Sequence, residues 1–128
     1  LIGFFAGNGT QVGNIAKSGS TTQYNTSSDY RLKENDVPIS DGITRLKQLR
    51  PIRFNWIEFP EKGKVDGFFA HEVSPVVPES VINDKDGVIT QEYIDSGKEV
   101  QNNLGKPIIQ MLDNSKLVPL LTAALKKR

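Results

Sequence analysis

The sequence predicts an α+β protein: a small mixed domain of short strands and helices, preceded by an extended, strand-forming arm. Three observations carry this expectation. Charge is spread unevenly along the 128 residues, with one charged side chain, Lys17, in residues 1–28 and thirteen in residues 29–62. Ile52, Phe54 and Trp56 alternate with Arg53 and Asn55, the period of a half-buried strand. Leu117, Leu120, Leu121, Ala124 and Leu125 recur at helical spacing near the C-terminus. The charge step divides the chain into an arm, 1–27, and a domain, 28–128.

The arm carries glycines at 3, 7, 9, 13 and 19 among many Ser, Thr, Asn and Gln. Asn8-Gly9 is a type I′ turn signal between short apolar stretches, so Ile2–Ala6 and Gln11–Ile15 read as strands. Lys17–Thr26 has too little apolar surface to bury alone and is expected as a loose arm or packed on partner chains.

In the domain, Asp41 is placed to cap a short helix carrying Ile43, Leu46 and Leu49. Pro51 biases Arg50 toward an extended conformation and ends that helix. The strand from Ile52 follows, then a turn at 61–64 and a second strand, Val65–Ala70, pairing with the first. His71–Val73 starts a helical turn that Pro75 and Pro78 keep short. Val81-Ile82 and Val88-Ile89 flank Asn83–Gly87 and read as a hairpin. Ser96-Gly97 and 102–105 read as loops, and Pro107–Leu112 as a strand or a helix. Asp113 or Ser115 caps the last helix, with Pro119 near its first turn. Lys126, Lys127 and Arg128 suit its negative end. Its apolar stripe fits packing on its own domain or on symmetry mates, and two turns of periodicity do not separate these.

Composition excludes several functions. Sixteen Lys and Arg against fifteen Asp and Glu leave a formal charge of +1, which gives no field for nucleic acid or an anionic membrane. No apolar run approaches the roughly 20 residues of a membrane span. The chain starts at Leu1 with no signal-peptide pattern and is expected to be cut from something longer. With no cysteine and one histidine, His71, it offers neither a disulfide framework nor a usual zinc site. Asn83, Asp84 and Asp86 are turn formers rather than a calcium loop. No dinucleotide or phosphate-binding glycine motif is present, so no cofactor is expected. His71 beside Glu72 reads as structural.

The densest polar constellation is Ser27-Ser28-Asp29-Tyr30-Arg31-Leu32-Lys33. A serine hydroxyl needs a base, and a lysine amine serves once it is neutral. Ser28 and Lys33 are five residues apart, within reach across a turn. Arg31 is a candidate to act on Lys33 or to hold an oxyanion.

These residues resemble the C-terminal intramolecular chaperone domain of bacteriophage tail spikes, tail fibres and neck appendages, the endosialidase-type self-cleaving peptidase family. The likeness runs through TTQYNTSSDYRLKEN (21–35), ITRLKQLRPIRFNWIEF (43–59), GFFAHEVSPVVPESV (67–81) and LDNSKLVPLLTAALK (112–126). His71 stands where the family has Gln. The resemblance implies a homotrimer with its C-terminal helix packed between copies. It also implies that the domain templates the upstream fibre or appendage of the same polypeptide, then cuts itself off on the N-terminal side of the motif serine. Carried onto this sequence, the scissile bond is Ser27–Ser28, the catalytic pair is Ser28 and Lys33, and Asp29 and Arg31 are supports. The expected location is the host cytoplasm during assembly, or the virion tail or neck appendage if the domain is retained. The alternatives are a permanent, non-cleaving trimerisation cap and a carbohydrate-binding fibre tip using Tyr24, Tyr30 and Tyr93.

Overall fold

A computed structural model describes residues 1–127. The fold class is α+β, as expected: short strands paired in three small sheets, with four short helices. The chain divides into two compact units, Leu1–Pro38 and Ile39–Arg128. Residue 28, where the composition changes, lies inside the first.

The first unit is an antiparallel sheet of β1 (Ile2–Phe5), β2 (Gln11–Ser18) and β3 (Thr21–Thr26) in sequential order. The expected strands at 2–6 and 11–15 are present. The expected type I′ turn is not. The Gly9 amide donates to the Ala6 carbonyl (2.9 Å), and the left-handed residue is Gly9 (φ 86°), not Asn8. Type I′ needs positive φ at both central residues. Here the left-handed step comes one residue later, with a register shift at Phe4/Phe5.

Lys17–Thr26 is not a loose arm. Its first residues complete β2, Gly19-Ser20 makes a two-residue turn, and Thr21–Thr26 pairs with β2 from Ser18↔Thr21 to Gly13↔Thr26. Threonines suit a pleated ladder, and the backbone bonds close without burial. Ile2, Ile15 and Tyr24 stand in one cross-strand row. In the adjacent row, on the other face, the Asn25 side-chain amide donates to Asn14 Oδ1 (2.8 Å). No residue of 1–38 is buried.

The second unit packs around Val73, Val76, Val77, Leu117 and Leu120, with Leu49, Phe68, Val81 and Leu112 against them. Helix α1 (Gly42–Leu46) starts at Asp41 as expected, but the carboxylate makes no capping bond and lies 3.7 Å from Arg45 instead. Gly42 is buried against helix α4 (Val118–Lys126): a Cβ there would meet the Ala124 amide nitrogen at 2.9 Å and Ala123 Cβ at 3.0 Å. Arg45 Nη2 donates to the Val76 carbonyl (2.8 Å), tying α1 to the segment after α2 (Ala70–Val73).

β4 (Ile52–Phe54) and β5 (Val65–Gly67) form the expected antiparallel pair, both shorter than expected. Trp56 lies beyond the ladder, its ring edge-on to Phe54 at 5.0 Å.

The expected hairpin at 81–89 is replaced by longer-range pairing. β6 (Val81–Ile82) pairs with β7 (Met111–Leu112), and Val88 bridges Pro107. Asn83 (φ 70°) and Asp86 (φ 60°) turn the chain away, and the Ile89 amide donates to the Lys106 carbonyl (2.8 Å). Helix α3 (Gln91–Asp95), capped by the Thr90 hydroxyl, lies in the intervening loop, where no helix was expected. Asp113 caps a 3₁₀ turn, Asn114–Leu117, that leads into α4, and Pro119 falls in the first turn of α4 as expected. The dipole role expected of Arg128 lies outside the described residues.

The stripe expected on the last helix separates into two. Leu117, Leu120 and Ala124 are buried, whereas Leu121 and Leu125 are exposed together with Val118. Residues 118, 121 and 125 repeat the 117, 120, 124 spacing one residue on, about 100° further round the helix.

Candidate functional site

The polar motif follows β3 directly. The Ser27 amide donates to the Val12 carbonyl (2.9 Å), one more rung between β3 and β2. The chain then leaves the sheet. Asp29 caps a single 3₁₀ turn, Tyr30–Leu32, by accepting from the Arg31 amide (2.9 Å). The Arg31 guanidinium grips the same carboxylate with two bonds, Nε to Oδ1 (3.0 Å) and Nη2 to Oδ2 (2.9 Å). These contacts hold the Asp29 carboxyl below its ordinary value, the Arg31 side chain being the larger cause, and raise Arg31 in turn. The turn closes with the Lys33 amide donating to the Tyr30 carbonyl (3.1 Å).

The turn brings Ser28 and Lys33 together: Lys33 Nζ lies 2.7 Å from Ser28 Oγ. The contact has hydrogen-bond length between a hydroxyl and an amine, beside the Ser27–Ser28 peptide bond. Both side chains are exposed. Arg31 reaches neither of them; its guanidinium bonds are to Asp29. Its place here is therefore in shaping the turn. Within the first unit no hydrogen bond joins residues 1–27 to residues 28–38. The Ser27–Ser28 bond thus separates a complete sheet from the turn that carries Lys33.

The remaining sequence candidates lie in the second unit. Glu72 pairs with Arg50 through two bonds (3.0 and 2.9 Å), which lowers its carboxyl and leaves no acid–base pair with its neighbour. His71 stacks on Phe69, ring centroids 5.8 Å apart. Among the described residues no group of three or more His, Asp or Glu is gathered for a metal, and no helix is long and apolar enough to cross a membrane.

One feature escaped the sequence reading. Phe54, Trp56, Ile57, Phe59, Phe68 and Phe69 line an open groove of about 860 Å³. As a run of aromatics in a strand pattern they read as core. The strand ends at Phe54, which turns Trp56, Ile57 and Phe59 outward.

No match to the chain was found among curated proteins. A family model described as chaperone of endosialidase, classed with the peptidases, matches residues 28–82. The match begins at Ser28 and takes in the Ser–Lys turn, α1, the β4–β5 pair and α2. Over residues 28–82 the chain is thus similar to the chaperone-of-endosialidase family, which supports the resemblance to the C-terminal intramolecular chaperone domain of phage fibre proteins.

Proposed function

We propose that the chain trimerises, templates the folding of the fibre or appendage segment upstream of it in the same polypeptide, and then releases itself by cutting Ser27–Ser28. The observation that carries the cleavage is the 2.7 Å contact between Lys33 Nζ and Ser28 Oγ. The neutral Lys33 amine takes the Ser28 hydroxyl proton as Oγ attacks the Ser27 carbonyl carbon. The carbon–nitrogen bond breaks, the Ser28 nitrogen is protonated, and the acyl group rests on Oγ as an ester. Water hydrolyses the ester, leaving a Ser27 carboxylate and a free Ser28 amine. The nucleophile belongs to the residue beside the scissile bond, so proximity is built in. The Val12–Ser27 rung holds the acyl side in the sheet, and the Asp29–Arg31 clamp holds the turn that presents Lys33. A neighbouring copy covering the turn would switch the reaction on, which ties cutting to assembly. This chemistry belongs to the host cytoplasm, where the fibre is put together.

Surface supports assembly. The chain exposes 10387 Å². A compact monomer of its 14.2 kDa exposes about 6,800 Å², and two separate units of these sizes about 8,000 Å². The excess has the size of an obligate interface. Long-range β pairing among three chains is slow, and holding their ends together raises local concentration and fixes register.

The test is a longer precursor, followed by light scattering and by mass spectrometry of its products. A trimer and a fragment beginning at Ser28 are expected. Ser28→Ala and Lys33→Ala are expected to leave a full-length trimer. Complete processing of either variant removes that residue from the mechanism.

A further inference from the structure

The geometry points to a specific contact between copies: the aromatic groove beside β4 receives the outer stripe of α4 from the neighbouring copy. This rests on the trimer reading above and says which surfaces meet.

The groove is built for an apolar solid surface. Ile57 is 96% and Trp56 60% exposed, apolar surface that is unfavourable to leave in water. A small-molecule site of this size carries convergent polar groups that orient its ligand. Here Glu58 lines the groove with no ion pair among the described residues, and the other polar side chains are turned to other work. Asn55 donates toward the Trp56 carbonyl (3.4 Å), and Lys62 lies over the Phe59 ring at 4.6 Å. At the rim Arg50 is committed to Glu72, and on the hairpin Arg53 to Asp66 (2.7 Å). The groove therefore presents mostly apolar area, with Glu58 and Lys62 as its lining charges, and its complement is a mostly apolar ridge.

Helix α4 supplies one. Val118, Leu121 and Leu125 stand at i, i+3 and i+7, exposed, while the parallel row 117, 120, 124 is buried in its own domain. From Val118 to Leu125 the helix holds no charge, and Lys126 is the first. A ridge of this spacing seated in an apolar trough is the helix-in-groove mode of recognition. Phe68 lines the groove and also packs against the core that α4 closes, so one copy presents groove and ridge from a single packed body. Two different patches that fit one another make a head-to-tail contact, and such contacts produce a closed ring when the rotation permits. Each copy then gives one ridge and receives one, which covers both patches.

The chain has no cysteine, so introduced ones report on this contact alone. Ile57→Cys and Leu121→Cys are made singly and together in the full chain, oxidised, and run on non-reducing gels beside light scattering of the untreated protein. Covalent dimers and trimers from the double variant, with single variants remaining uncrosslinked, support the contact. A trimer by light scattering whose double variant does not crosslink overturns it and leaves the trimer reading intact. Crosslinking of Ile57→Cys alone also overturns it, since groove would then face groove. A monomer by light scattering at all concentrations removes the trimer reading and this contact with it. Ile57→Asp, on a side chain that touches almost nothing in its own copy, is expected to dissociate the assembly without changing the circular dichroism spectrum. An unchanged trimer from this variant overturns the proposal.

Discussion

In residues 1–38 three strands are hydrogen-bonded from Ile2 to Thr26, and no side chain is buried. In residues 39–127 the strands are two or three residues long, and seven apolar side chains are buried. The first region has its ladder without a core; the second has a core with little ladder. A three-stranded sheet needs a covered hydrophobic face for independent stability, and the Ile2–Ile15–Tyr24 row has none within its own unit. The second region owes its stability to a few side chains on short helices, brought together from distant parts of the sequence. The difference teaches where burial comes from: the sheet has none within its own unit, whereas the core of the domain is its own.

Hydrogen exchange breaks or sharpens this contrast most strongly. In dilute single chains the amides of β2 and β3 are expected to exchange at least about a thousandfold faster than those of Val77 and Leu120, because local opening costs little where nothing is buried. Protection of the sheet is expected to rise with protein concentration. Equal protection in both regions at high dilution would show that the sheet is stable alone.

Next in size is the core. Leu120 is 3% exposed, and Leu120→Ala is expected to cost about 3 kcal/mol, read from the urea midpoint of the domain. Leu121→Ala, one residue on and outward, is expected to cost well under half of that in the single chain. Similar losses from the two would dissolve the distinction between inner and outer stripes.

The smallest effect lies at the turn between the two regions. Asp29→Ala removes the cap and the Arg31 clamp that shape the turn. Processing at Ser27–Ser28 is expected to slow about fivefold, with the domain's urea midpoint unchanged. Acid acts in the same direction. The folded Asp29 carboxyl lies below its ordinary value, so its contribution is complete above about pH 4 and is lost as pH falls through the lowered folded value. The Arg31 Nε proton, followed by nuclear magnetic resonance, is expected to lose its bonded shift only in strong acid. A midpoint at the ordinary carboxylate value of about 4 would mean that the clamp is absent in solution.

Much of the local chemistry was legible in the residues. Pro119 in the first turn of a helix and the alternation over 52–54 act over a few residues, and the structure keeps both. The spacing of Ser28 and Lys33 left a contact across a turn open, and the pair was singled out by the resemblance; the structure brings the two side chains to 2.7 Å. The failures are equally specific. Asn83–Gly87 has the composition of a hairpin turn, yet Val81 and Val88 find partners near 112 and 107. Lys17–Thr26 lacks apolar residues, but backbone bonds to β2 need none. Helix α3, five residues with a threonine cap, is too short to leave a periodic signal.

The sequence alone determined where charge begins, which residues form the turn after β3, and that a serine and a lysine are carried on it. These follow from side-chain chemistry and chain geometry within a few residues. Tertiary structure decided which row of α4 is buried, where β6 and Val88 pair, and that Trp56 and Ile57 open into a groove. Those outcomes depend on which distant apolar surfaces meet first and on what is left uncovered when the small core is full, and no local pattern contains that information.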